Sequence, residues 1–118
     1  MSKARKASPI EIQSLTRSCN EVLILAVLAG GPRHGYQLGL ALEEKSGGAF
    51  RFPHGTLYPI LHKLEKDGLI RGSWREEGQR KRKSYSLTAK GRRYSADQAA
   101  AWDRFFEHFS QIVGEVKS

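Results

Sequence analysis

Between Pro53 and Ile70 the sequence PHGTLYPILHKLEKDGLI carries two sets of residues at helical spacing. Leu57, Ile60, Leu61 and Leu64 recur at i, i+3, i+4 and i+7, which stacks them along the side of a helix that belongs to a core. Thr56, Tyr58, His62 and Lys63 point elsewhere, with His54 just ahead of them, and each ends in a group that can meet a phosphate or a base edge. Further on, Arg80, Lys81, Arg82 and Lys83 form an unbroken run of cations. Such a helix face followed by concentrated positive charge suits recognition of a polyanion, because the cations release counterions from phosphates while the donors position or read the partner. A basic run taken alone reads equally well as a solvated surface. Its position directly after an amphipathic helix moves the reading toward nucleic acid.

Catalytic chemistry has no comparable constellation. His34, His54, His62 and His108 are scattered, no pair has the HExxH or CxxC spacing of a metal site, and no glycine-rich phosphate loop is present. Cys19 is the one cysteine and lies in an apolar stretch, which makes it a core residue rather than a nucleophile. The sequence is therefore not expected to encode an enzyme or to hold a metal or cofactor. With no internal disulfide, and with no apolar signal segment in MSKARKASP, the expected location is the cytoplasm. Val22 to Ala29, the longest apolar run, is too short to span a bilayer, so no membrane partner is expected.

The 118 residues carry a formal charge of +8 and a pI near 9.9. The charge is unevenly placed: residues 1–18 carry +3, 19–50 carry −1, 51–93 carry +8 and 94–118 carry −2. Nearly all of it sits in the segment that holds the amphipathic helix and the basic run. A polyanion is the natural partner of such a segment.

The elements needed to position these residues follow from caps, periods and breakers. Residues 1–7 read as a disordered basic tail. Ser8 as N-cap, Pro9 at the first helical position and Glu11 three residues after the cap start a helix that runs to about Ala29, where Gly30, Gly31 and Pro32 stop it. A second helix is expected from His34 to Gly47, a short connector over 49–53, and a third helix from Gly55 or Thr56. Pro59 then falls near the end of the first turn and Gly68 at the C-cap. From Leu69 the period changes to two: Ile70, Gly72 and Trp74 alternate with Arg71, Ser73 and Arg75, and Tyr85 and Leu87 with Ser84 and Ser86. Glu76 to Arg82, with Gly78, is expected to be the turn between these strands, and Trp74 to pack beneath the hairpin. Three helices followed by a basic hairpin define a helix-turn-helix with a wing. Thr88 caps a last helix to about Val113, in which Trp102, Phe105, Phe106, Phe109, Ile112, Val113 and Val116 form an aromatic stripe. A stripe this large calls for a second copy of the chain to cover it. The expected fold class is mainly α with a small β-hairpin, divided into a winged helix-turn-helix domain over 8–88 and a dimerisation helix over 89–118.

HGYQL at 34–38, GTLYPILHKLEKDGLI at 55–70 and SYSLTAKG at 84–91 resemble, in order and spacing, the HGY, GTLYP-x-L-x-x-L-x-x-G and YxLTxxG motifs of the PadR family of bacterial transcriptional regulators. The likeness covers roughly residues 14–113, and the single helix after the wing is similar to the small subfamily that dimerises through that helix. The resemblance implies a homodimeric repressor on a palindromic operator in double-stranded DNA. Tyr36, His54, Thr56, Tyr58, His62, Lys63, Arg80, Lys81, Arg82 and Lys83 would then meet the DNA, although Tyr36 reads equally well as packing between helices. In the multidrug-responsive branch a Trp of the last helix stacks on planar ligands at the dimer centre, and Trp102 aligns with it. A pore there would be walled by Leu15, Val22, Ala26, Trp102 and Phe106 and would take a flat aromatic effector. That branch has a carboxylate where this chain has Phe106, so a preference for cationic ligands is not carried over. A winged helix that contacts RNA or protein is the alternative.

Overall fold

The computed structural model describes residues 9–117, with side chains from 17 to 116. The expected tail over 1–7 and the Ser8 cap lie outside the described residues. Helix α1 spans Pro9–Leu28, strand β1 Arg33–His34, helix α2 Gly35–Lys45, helix α3 His54–Lys66, strand β2 Ile70–Glu77, strand β3 Arg80–Leu87 and helix α4 Ala89–Lys117. The sheet order is β1-β3-β2, antiparallel throughout. A winged helix-turn-helix followed by one long helix is therefore the architecture.

The core forms where the apolar spacing put it. Ile24, Leu25 and Leu28 of α1 meet Leu38 and Leu42 of α2 and Leu57, Leu61 and Leu64 of α3, all nearly or wholly removed from solvent. Each such side chain contributes roughly 1.5–3 kcal/mol over an exposed one. In the second half of α1, Ile24, Leu25, Val27 and Leu28 are buried while Ala26 is exposed, and the helix contacts α2, β3 and α4. At the end of α3 the chain reverses through a Schellman motif, in which Leu69 N–H donates to the Leu64 carbonyl and Gly68 N–H to that of Glu65. Gly68 takes the left-handed φ of 76° that this turn needs, one residue beyond the cap itself at Asp67.

Three expectations about element limits are corrected. Helix α3 starts at His54 because the Pro53 carbonyl accepts from both Thr56 and Leu57, so Pro59 lies in the second turn and not in the first. The basic residues 80–83 are not in a turn: β2 and β3 pair without a break from Ile70↔Leu87 to Glu77↔Arg80, and only Gly78 and Gln79 reverse the chain. Gly78, at φ 63°, supplies the positive dihedral that a two-residue hairpin demands. His34, expected to open the second helix, instead pairs with Ser84 beside Arg33↔Tyr85 as the third strand and caps α2, which starts at Gly35.

The base of the wing is locked to α4. Thr88 Oγ1 donates to the Gly68 carbonyl at 2.7 Å and accepts from Gly91 N–H at 2.9 Å, capping α4 as its type and position suggested. Beyond this junction α4 runs for 29 residues, about 43 Å at 1.5 Å per residue, and packs in part on α1. The molecule is accordingly elongated, 63 Å in its longest dimension with a radius of gyration of 17.0 Å, where a compact chain of this length would have about 13–14 Å.

A candidate nucleic-acid interface

The HGY stretch is shaped by close approach of two helices. A Cβ on Gly35 would stand 2.7 Å from Tyr58 Oη, so only glycine lets the Tyr58 ring lie against the start of α2. Tyr58 is half-buried on the core, with the His54 ring edge-on to it at 5.4 Å. Packing and surface presentation are thus combined in this one tyrosine. Its neighbour across the contact, Tyr36, is 58% exposed. His34 is buried; its Nε2 lies 2.8 Å from Glu77 Oε1, tying β1 to the outer end of β2, while its backbone N–H donates to Gln37 Oε1.

The wing is held to α3 by a second glycine-dependent contact. Lys83 Nζ donates to Glu65 Oε1 at 3.0 Å, and Gly72 N–H donates to Glu65 Oε2 at 3.2 Å. A Cβ on Gly72 would overlap the Lys83 stem, at 2.3 Å from Cε, so glycine opens the space in which the pair forms. The Lys83 hydrogen bond holds the Glu65 carboxyl below the usual carboxylate range, and the same bond raises Lys83. The Lys83 ammonium also stands 5.4 Å from the Tyr85 ring centroid. Lys83 therefore fixes the angle between wing and helix before any partner arrives.

Lys63 is also engaged. It contacts Glu21 at 3.1 Å and Asp67 at 3.2 Å, and the hydrogen bond to Glu21, followed by that to Asp67, raises its pKa. Because the Glu21 side chain is only 13% exposed, moving Lys63 to a phosphate would leave a carboxylate poorly solvated and unpaired. Arg80, Lys81 and Arg82 differ, since among the described residues they form no ion pair. They remain available to a polyanion.

Between α2, α3 and the wing lies a groove of about 630 Å³. Tyr36, Tyr58, His62, Trp74 and the basic residues 80–83 line it, together with His34, Gly35 and Tyr85, and no carboxylate is among them. The structure thus gathers most of the sequence-expected contact residues around one concavity rich in hydrogen-bond donors. Exposed His54 borders a separate hollow with Tyr36, and Thr56 is exposed on the first turn of α3. Trp74 corrects an expectation: it does not pack beneath the wing but is 68% exposed. Glu65, Gly72 and His34 were not anticipated as site-forming residues. A glycine inside an alternating strand was the available signal for Gly72, since it marks a close approach.

The expected pore residues are less united. The side chain of Leu15 lies outside the described residues. Val22 is half-buried, and Ala26 opens into a hollow of about 310 Å³ whose walls come from α1, β1, α2 and the segment after α2, with no α4 residue. Trp102 stacks obliquely near Phe106 at 5.7 Å and edge-on to Phe105 at 5.5 Å. Phe105 and Phe109 stack at 6.0 Å, and Phe105, Phe106, Phe109, Ile112 and Val116 are exposed, with Val113 half-buried. Burial pushes the Cys19 thiol up from its ordinary value, which disfavours a thiolate nucleophile.

Comparison with known proteins adds an independent line. The model of the transcriptional regulator PadR-like family matches residues 24–97. A transcriptional regulator of Mycobacterium tuberculosis is 36% identical over 81 residues, covering 69% of this chain and 73% of that one. An uncharacterized 37.1 kDa protein of a Streptomyces fradiae transposon is 36% identical over 100 residues, which are 81% of this chain, and the chain spans only 27% of its length. Among solved structures, a PadR-like transcription factor from Bacteroides fragilis superposes with a TM-score of 0.72 at 30% identity, covering 86% of this chain and 98% of that one. The Bacillus subtilis PadR, solved in complex with operator DNA, gives 0.62 at 29% identity over 67% of this chain and 45% of its own.

Proposed function

Because the chain belongs to the PadR-like family of transcriptional regulators, we propose that it is a repressor that binds double-stranded DNA as a homodimer on a palindromic operator. The observation that carries this reading is the groove between α3 and the wing, lined by hydrogen-bond donors and by three cations that no carboxylate neutralises. The operator complex of the Bacillus subtilis relative supports it. His54, Thr56, Tyr58 and His62 read or position the duplex in the major groove, Tyr36 contacts a phosphate, and Arg80, Lys81 and Arg82 neutralise phosphates along the wing. Lys63 and Lys83, held in ion pairs with Glu21, Asp67 and Glu65, contribute less than the unpaired wing cations. Residues 8–88 form the reading head. Residues 89–118 join two heads through Trp102, Phe105, Phe106, Phe109, Ile112 and Val113.

Binding measured by fluorescence anisotropy against salt concentration tests this. Each phosphate contact contributes about 0.9 to the slope of log K against log salt. Replacing Arg80, Lys81 and Arg82 together by Gln is expected to flatten that slope by roughly 2–3. An unchanged slope sinks the wing assignment.

Regulation is assigned to the dimer centre. A planar aromatic effector stacked on Trp102 between Val22, Ala26 and Phe106 would favour a geometry whose recognition helices no longer match the operator half-sites. Titration of flat aromatic compounds is expected to change Trp fluorescence and operator affinity together. If both stay constant across such a panel, the effector reading is abandoned. No helix among the described residues is long and apolar enough to cross a membrane.

A further inference from the structure

We propose that Trp74 is a nucleic-acid contact, its indole seating the sugar-phosphate backbone of one DNA strand in the groove between α3 and the wing. The inference rests on the duplex-binding reading above and adds a residue and a mode of contact to it. Trp74 is 68% exposed and has no aromatic partner among the described residues, an unusual position for the largest apolar side chain on a three-stranded sheet.

Strand register places it. Ile70, Gly72 and Trp74 project to one side of β2, and Lys83 and Tyr85 opposite them project to the same side of β3. Ile70 and Tyr85 on this side are buried in the core, and Gly72 and Lys83 meet Glu65 of α3. The side that carries Trp74 is therefore the one that faces α3, and Trp74 is the first residue along β2 to pass beyond the core. Lys83, its cross-strand partner, is drawn back to Glu65, so the wing wall at this level is an indole and not a charge. Lys81 follows one step outward, and Tyr58 and His62 stand on the α3 wall.

The occupant follows from these walls. A helix that enters a major groove and a hairpin beside it must straddle one strand of the duplex, which puts sugars and phosphates in the space between them. The indole suits that filling: Nε1–H is a donor with no acceptor capacity, matched to a phosphate oxygen, and the ring face covers a deoxyribose. No carboxylate lines this groove, and Glu76, one step outward on the same side, stands cross-strand from Lys81 and borders an adjoining hollow with Trp74, Arg75 and Lys81. Contact of this kind positions the protein without reading bases, and because the indole is uncharged it releases no counterion.

The test compares the full-length protein with Trp74→Ala and Trp74→Phe on two duplexes, a random-sequence one at low salt and one selected for tight binding. Trp74→Ala is expected to weaken binding to both about tenfold, the size of losing a hydrogen bond to a charged group, with the salt slope unchanged. Trp74→Phe is expected to keep part of the affinity. Duplex should quench the fluorescence of the wild type in step with anisotropy, and the quench should be absent in Trp74→Phe. Thermal melting should be unchanged in both variants, since the side chain lies outside the core. Wild-type affinity in Trp74→Ala, or the same quench in Trp74→Phe, overturns the proposal while leaving duplex binding intact. A loss confined to the selected sequence overturns the backbone assignment in favour of base readout. If the wild type binds neither duplex, it is the duplex-binding reading itself that fails.

Discussion

Replacing Phe105 and Phe109 together by Glu is expected to yield a folded monomer whose operator binding is weaker by two to four orders of magnitude. The two rings stack one helical turn apart at 6.0 Å on the outer part of α4, about half exposed at 45% and 52%. Phe106 at 52% and Ile112 at 69% extend the same apolar surface, which is more than a lone soluble chain ordinarily presents. In the proposed dimer two carboxylates at these positions would be buried, unpaired and mutually repulsive, so association is the equilibrium expected to suffer. The winged-helix core takes no residue from this stripe and should remain intact. Joining two heads makes the second half-site contact intramolecular, a gain of about 10² to 10⁴ that the monomer forfeits. Analytical ultracentrifugation with circular dichroism checks the first part and anisotropy the second. A variant that stays dimeric would show that the interface is elsewhere.

Gly91→Ala is the substitution expected to cost most in stability. A Cβ there would lie 1.8 Å from the Leu69 carbonyl oxygen and 2.8 Å from its carbon, and both belong to backbone that cannot rotate away. Relief requires moving α4 off the base of the wing, which would stretch the Thr88 cap and its bond to Gly68. The cost is about 3 kcal/mol, at the upper end for overpacking. For a chain of this size that lowers Tm by roughly 10 °C or more. Gly55→Ala is the control, because nothing lies within 4 Å of its added Cβ and alanine favours a helix. Equal melting of the two variants would contradict the close approach.

Much of this arrangement is legible in the residues, and the exceptions have physical causes. The apolar spacing of Leu57, Leu61 and Leu64, the Thr88 cap, the glycine stop at Gly68 and the aromatic stripe of α4 are local patterns, and each marks its element, Gly68 within one residue of the cap. Strand β1 has no pattern of its own; Arg33 and His34 are extended only because β3 offers them an unpaired edge. The hairpin is longer than its alternation suggests because ladder bonds, not burial, carry it past Trp74 into Glu76, Glu77, Arg80 and Lys81. Sequence spacing separates Arg80, Lys81 and Arg82 from Lys63 only through its i,i+4 neighbour Asp67, since Glu21 and Glu65 reach Lys63 and Lys83 from 42 and 18 residues away. Trp74 departs from the sequence expectation for a related reason. A large apolar residue in a strand is ordinarily buried, and only the register shows that the core ends one pair before it.

The central claim is a two-fold reading head for duplex DNA, with α3 and the wing as each half and α4 as the link. Selection of bound duplexes from a random pool, followed by footprinting of the enriched sequence, tests it most directly. An inverted repeat whose half-sites are centred about one helical turn or a multiple apart, with both halves protected together, is the expected result. Failure to enrich any duplex sequence, or protection of a single asymmetric site by one copy of the chain, would contradict it.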